Sequence, residues 1–240
     1  MAKKILIYHF IYFIIVSRWD GQMDLYLIRH GESTQNARES FNDKIPDHLI
    51  GLTDNGVKQC DDVGIFLKEY LEKNNIDIQN AVMWISPFLR TRQSANIINS
   101  HLNIDDVRED YSLIEQRYGL FGDRSLARNR MIFQHEFEFY DKYYQNNGRF
   151  YAKFPQGEAP MDVALRTRMF LNMVNLEEKG PLFVISHGTT IRTIVMNTFN
   201  YSPEWFNMEA PMENCSVRLI NKDDKIDEYI YGGKIKRLRR

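Results

Sequence analysis

"LYLIRHGEST", residues Leu25 to Thr34, decides how this chain is read. Four apolar residues run straight into an arginine, a histidine and a glycine. A short apolar run bounded by polar residues is the form of a strand buried on both faces. A strand that stops at Ile28 delivers Arg29 and His30 to its C-terminal edge, and Gly31 lets the chain turn into a helix start. Two groups that are costly to bury thus stand where open α/β sheets bind their ligands.

The same arrangement recurs along the chain. "AVMWIS" (81–86) and "PLFVIS" (181–186) read as two further buried strands, ending on Ser86-Pro87 and on Ser186-His187-Gly188. "CSVRLI" (215–220) is a late strand. Between them lie helices. Residues 52–73 open with Thr53 or Asp54 as N-cap and place Val57, Cys60, Val63, Leu67 and Tyr70/Leu71 on one stripe. Pro87 suits the first turn of a second helix. Another runs through 160–178, with Val163, Thr167, Phe170 and Val174 in register. Strands alternating with helices imply an α/β fold, with a mostly parallel sheet covered by helices on both faces. From Gly119 to Glu158 the rhythm breaks. That Arg-, Phe- and Tyr-rich stretch predicts a helix or two between Ser125 and Gln145, an insertion lying over the sheet edge. With no repeat or linker in view, 23–240 reads as a single catalytic domain.

Bulk composition narrows the class. The 240 residues are 43% apolar, enough for a full core. Charges of 31 basic and 32 acidic nearly cancel, which argues against a general nucleic-acid binder. Two cysteines, Cys60 and Cys215, make no disulfide scaffold and show no metal-ligand spacing. The expectation is a cytoplasmic protein that needs no metal to fold. Residues 3–16, "KKILIYHFIYFIIV", join two lysines to an apolar run. That run is shorter than the ~20 residues a spanning helix needs, and no small-residue cleavage site follows it. Residues 1–22 therefore read as an N-terminal extension ahead of Met23, with membrane association as the competing expectation.

Parallel topology sends the strand ends to one side, so Arg29, His30, Arg90, Glu115 and His187 are expected to converge. That set suits a phosphoryl group. Guanidinium forks match phosphate oxygens. A neutral imidazole can attack phosphorus and carry the group as a phosphohistidine. A second histidine, in its charged form, would stabilise the equatorial oxygens. A carboxylic acid beside the leaving oxygen would donate a proton and then act as base toward water. The helix start after Gly31 would add N–H donors. With arginines supplying the charge, no metal is required.

"LIRHGES" (27–33), "LTDNG" (52–56), "SPFLRTRQSA" (86–95), "EQRYG" (115–119) and "VISHG" (184–188) occur in the order found in the histidine phosphatase superfamily, which this chain resembles from Met23 to about Ile220. The resemblance implies a three-layer αβα sandwich. It implies His30 as the phosphorylated nucleophile, Arg29, Arg90 and His187 as its phosphate pocket, and Glu115 as the acid/base. Asn36 matches the asparagine that contacts phosphate from the first helix, Ser33 supports it, and Gly188 offers a backbone donor. The segment "KIPDHLIG" stands where phosphoglycerate mutases carry an "FTGW"-like run, and 119–158 lacks their paired arginines and prolines. "GRFYAKFPQGEAPMDVALR" (148–166) is similar instead to mutase-like phosphatases. The expected activity is a metal-independent phosphomonoesterase on a small phosphorylated substrate, with no cofactor. The alternative is a phosphoglycerate mutase primed by 2,3-bisphosphoglycerate. For that, Arg38, Arg117, Arg124, Arg128 or Arg130 would have to bind a second phosphate, with Tyr118 lining the pocket. A binding module that had lost the chemistry would be expected to lack one of the five core residues, and none is missing.

Overall fold

The computed structural model describes residues 23–37, 45–122, 130–177 and 180–235. The readings made for residues 1–22, for Arg38, and for Arg124 and Arg128 fall outside the described residues.

Six strands form one sheet: β1 (Leu25–Arg29), β2 (Val82–Ile85), β3 (Asp106–Glu109), β4 (Leu182–Ser186), β5 (Val217–Asn221) and β6 (Ile226–Tyr231), in the order β3-β2-β4-β1-β5-β6. The first four in that order run parallel, β5 is antiparallel to β1, and β6 to β5. Side chains alternate across it. Leu25 and Leu27 of β1 join Val82, Trp84, Leu182 and Val184 in one buried core. Tyr26 and Ile28 join Met83, Ile85, Phe183 and Ile185 in the other.

Each core is closed by a helix pair, as three layers require. The second core is covered by α1 (Asp54–Lys73) and α2 (Leu89–Leu102). The first is covered by α4 (Pro160–Glu177) and α5 (Gly188–Phe199), joined by the short α6 (Pro203–Met208). Between α2 and α4 lies α3 (Gln134–Asn147), within the inserted stretch. The α4 stripe Val163, Thr167, Phe170 and Val174 is buried as its spacing predicts. Phe170 meets Trp84 edge to face at 5.6 Å, a contact worth about 0.5–1.5 kcal/mol beyond simple burial.

Four local readings need correction. Thr53 caps α1 by accepting from Gly56 N at 3.0 Å, but Val57 is 45% exposed. The buried stripe is Gly56, Cys60, Val63, Leu67 and Leu71. A Cβ on Gly56 would stand 2.0 Å from Glu32 O, so the loop after β1 packs on the bare backbone of α1 and turns Val57 outward. The second helix begins at Leu89 with Phe88, extended at ψ 144°, as its cap. Pro87 precedes it. The expected helix start after Gly31 is instead a bridge from Ser33 to Leu52 and a turn over 34–37, closed by Ala37 N to Ser33 O at 3.0 Å. Finally, β3 and β6 were not expected as strands. Both are edges whose residues are half-buried or exposed.

The inserted stretch packs back on the loop that leads into it. Tyr118 touches Phe154 with ring centroids 5.1 Å apart, and Phe154 stacks on Tyr140 of α3 at 4.7 Å. Among the described residues no helix is long and apolar enough to cross a membrane.

Candidate active site

The β1–β4 register brings the two histidines together. Arg29 lies opposite Ser186, and His30 N–H donates to Ser186 O at 3.1 Å. The next residue on each strand, His30 and His187, therefore leaves the sheet side by side. Their ring centroids are 5.1 Å apart, and both are buried.

Nδ1 of His30 stands 2.7 Å from Gly31 O. A carbonyl only accepts, so Nδ1 carries the hydrogen and Nε2 keeps its lone pair. Burial, with Arg90 and Arg29 beside it, holds the His30 pKa well below the usual imidazole range. The ring is neutral, as a nucleophile requires. His187 bonds Ser86 Oγ through Nε2 at 2.8 Å, while its Nδ1 is buried without a partner. Burial first, then Arg90 and His30, depress its pKa as well. Both causes disfavour the charged form that the sequence reading expects of the second histidine, and an incoming dianion would offset the arginines' share of that effect.

Two arginines flank the pair. Arg29 donates through Nη1 to Met212 O, and its Nε is buried with no partner. Arg90, in the first turn of α2, is 3% exposed. Its Nη1 donates to Asp47 O at 2.8 Å and Asp47 Oδ1 at 3.0 Å. Its guanidinium lies over the Phe88 ring at 4.9 Å, and that ring meets His187 edge-on at 5.1 Å.

Glu115 arrives from the loop between β3 and α3. Its Oε1 accepts from Gln116 N at 2.8 Å and its Oε2 from Thr189 N, in the first turn of α5, at 3.4 Å. The loop is tied down on several sides. Ser186 Oγ donates to Leu113 O at 2.7 Å, and Thr190 Oγ1 to Ile114 O at 2.6 Å. Arg166 donates to Ser112 O and, at 3.3 Å, to Glu115 O, while its Nε pairs with Glu158 at 3.2 Å. A Cβ on Gly188, which opens α5, would sit 3.8 Å from Arg29 Nε and 4.0 Å from Glu115 Oε2. The start of α5 is thus where Arg29 and Glu115 meet.

Ser33 is buried, and its N and Oγ donate to Asn36 Oδ1 at 3.1 and 2.9 Å. Asn214 Nδ2 reaches the same oxygen at 3.2 Å and His30 O at 3.0 Å. Asn36 stands on the turn rather than on a helix, with its side-chain oxygen committed to Ser33 and Asn214. Arg117 is 65% exposed in its side chain and pairs with Glu158 at 3.6 Å. Burial of its hydroxyl end, with Glu115 near, pushes the Tyr118 phenol up to about 12. Both residues line a cleft of about 730 Å³ that Arg90 and Glu115 also border.

Beneath the His30 turn the thiols of Cys60 and Cys215 lie 3.4 Å apart, both buried. Cys215 N donates to Arg29 O at 3.1 Å and to His30 O at 3.3 Å. A Cβ on Gly31 would stand 2.5 Å from Gly56 O. Sequence reasoning did not find Asp47, the Ser86 hydroxyl, Asn214 or the Arg166–Glu158 pair. Only the capping-like placement of Ser86 at a strand end hinted at any of them.

Fold and site together define a class: a doubly covered α/β sheet presenting two buried histidines and an arginine from adjoining strand ends, with a second arginine from the first turn of a covering helix. Residues 25–227 match the histidine phosphatase superfamily, branch 1, and the chain belongs to that family. It is 29% identical over 211 residues to the phosphoglycerate mutase-like protein AT74 of Arabidopsis thaliana, a match covering 82% of this chain but 64% of that protein's length. It is 22% identical to the broad-range acid phosphatase DET1 of Saccharomyces cerevisiae, over 86% of this chain and 87% of that one. Among solved structures it resembles the alpha-ribazole phosphatase from Shigella flexneri, with a TM-score of 0.67 at 17% identity, covering 90% of this chain and 96% of that one. It also resembles the native mycobacterial glucosyl-3-phosphoglycerate phosphatase, with a TM-score of 0.65 at 15% identity, covering 90% and 99%. At such identities the structural likeness speaks for the fold alone.

Proposed function

We propose that this chain is a metal-independent phosphomonoesterase working through a phosphohistidine on His30. The observation that carries the reading is a pair of orphaned polar atoms. Arg29 Nε and His187 Nδ1 are buried without a protein partner at the centre of the site. Buried polar groups are nearly always bonded, and two beside a buried Arg90 fit the oxygens of a tetrahedral dianion.

In this reading His30 Nε2 attacks phosphorus as the bond to the leaving oxygen breaks, and Glu115 gives that oxygen a proton. Arg29 and Arg90 offset the repulsion between the dianion and the incoming lone pair, and His187 steadies the equatorial oxygens. Water then attacks the phosphohistidine, Glu115 takes its proton, the N–P bond breaks and inorganic phosphate leaves. Arg29, His30, Arg90 and His187 form the phosphoryl pocket, with Asn36, Ser33 and Gly188 as supporting contacts. Arg117 and Tyr118 face the leaving group.

Among the described residues, the candidate cations for a second phosphate already face carboxylates, Arg117 at Glu158 and Arg130 at Asp141 at 3.4 Å, and this favours a hydrolase over a mutase. The test is phosphorus NMR of the protein with 3-phosphoglycerate, a trace of 2,3-bisphosphoglycerate and a chelator, alongside a panel of phosphomonoesters. Free phosphate without the 2-phosphate isomer is expected. Isomer with little free phosphate would establish the mutase instead. An acid-labile phosphoenzyme surviving in His30→Ala would overturn the nucleophile.

A further inference from the structure

We infer that the leaving group carries an aromatic ring, or a planar apolar group of that size, which lies against Phe88, Tyr111 and Tyr118. The inference rests on the phosphatase reading of the same site and adds the class of ester it takes.

Direction comes first. Of the five central residues, Arg90 and Glu115 are the two that border the cleft. Glu115 is the residue assigned to protonate the leaving oxygen, so whatever that oxygen carries extends into this space. At about 730 Å³ the cleft is of the size that holds drug-like ligands. A three-carbon phosphoacid would leave most of it to water.

Charge then argues against a second anion. Each arginine that lines the cleft has a carboxylate beside it: Arg90 has Asp47 at 3.0 Å, Arg92 has Glu109 at 2.6 Å, and Arg117 has, at 3.6 Å, a Glu158 that it shares with Arg166. The Asp47 carboxylate itself borders the cleft. With Arg90 engaged by the phosphoryl group, a second anionic group would have to share Arg92 or Arg117 with the carboxylates already beside them.

The apolar lining completes the argument. Phe88, Tyr111 and Tyr118 border the cleft together with Pro46, Pro87 and Ile114. Tyr111 borders the cleft and is 79% exposed, so its ring face is open to a ligand there. Phe88 reaches from this wall to His187 and Arg90, so a ring stacked there stands beside the phosphoryl pocket.

The experiment compares benzylphosphonate with ethylphosphonate in equilibrium binding by calorimetry, and benzyl phosphate with ethyl phosphate in hydrolysis. The two alcohols leave with similar basicity, so bond cleavage itself does not separate the esters. Benzylphosphonate is expected to bind roughly tenfold more tightly, the factor from burying about 60 Å² of ring at about 25 cal/mol per Å². Tyr111→Ala should narrow that ratio about threefold or more. Equal binding, or tighter binding of phosphonoacetate than of benzylphosphonate, would overturn the assignment. Preferential binding of the benzyl compound with neither ester hydrolysed would uphold the cleft's ring preference and sink the phosphatase reading instead.

Discussion

Arg90 grips Asp47 twice, through the main-chain oxygen at 2.8 Å and the carboxylate at 3.0 Å. The main-chain contact fixes the guanidinium, while the carboxylate cancels part of the charge it offers to an anion.

Asp47→Asn keeps the first effect and removes the second. Inorganic phosphate should then inhibit more strongly, its inhibition constant falling about three- to tenfold. That is the order expected from deleting one like charge several ångströms from the anion, where water keeps the effective dielectric at about 80. Unchanged or weaker inhibition would mean that the carboxylate serves only to position Arg90.

Acid should weaken the fold through the two histidines. His30 and His187 are both held well below the ordinary pKa of about 6.5 by burial and neighbouring arginines. In the unfolded chain they take up protons near 6.5, while in the folded chain they refuse them. Their contribution is therefore whole above that pH and is lost progressively as pH falls toward the depressed folded values. Urea unfolding at pH 7 and pH 5 should show a larger acid loss for the wild type than for a His30→Ala/His187→Ala double variant. Saturating inorganic phosphate should shrink the wild-type loss. Parallel losses in both proteins would place the acid sensitivity elsewhere.

Arg166 positions Glu115 rather than touching substrate, since it donates to Ser112 O and Glu115 O while held by Glu158. Lysine keeps the charge and loses the fork. Arg166→Lys should therefore slow hydrolysis of an alkyl ester about tenfold or more, yet barely affect p-nitrophenyl phosphate, whose leaving group needs little protonation. Glu115→Gln should show the same split more strongly. Equal losses on both esters would reassign the proton donor.

Gly31 is fixed by what surrounds it: an added Cβ would stand 2.5 Å from Gly56 O and 2.8 Å from Cys60 Sγ. Because one contact is backbone, the turn carrying His30 must move. Gly31→Ala should lower kcat about a hundredfold, the cost of misplacing a reacting group by about an ångström. It should also cost about 1–3 kcal/mol of stability from overpacking. Stopped-assay kinetics and denaturant unfolding check the two effects separately, and an active, stable variant would refute the tight fit.

The parts of the fold that were legible in sequence are those where one chemical pattern suffices. The runs feeding β1, β2 and β4 are apolar on both faces, and such strands announce themselves. The edges β3 and β6 do not, because "DVRE" and "IDEYIY" carry charges that an edge tolerates and a centre would not. Buried Arg218 in β5 illustrates the difficulty: it is held by Glu209 and Asp227, partners the sequence alone cannot assign. The site divides the same way. Arg29, His30 and His187 follow from strand ends, Arg90 and Glu115 from a helix start and a loop on the same side of the sheet, and the family resemblance assigns each its role. Asp47, Asn214 and Glu158 act on neighbours 43, 184 and 41 residues away, and no local spacing encodes such pairs.

The 5.1 Å between the imidazoles rests on the hydrogen-bond ladder of the sheet, since Arg29 faces Ser186 and β1 is clasped by β5 along its other edge. A ladder shifts only in whole residues of about 3.3 Å, and a single step would also turn every side chain to the opposite face. What the ladder holds constant is the main-chain offset between the ends of β1 and β4, which can change only in whole steps. Substitutions act beyond it, on the turn after His30 and on the tilt and charge of each ring.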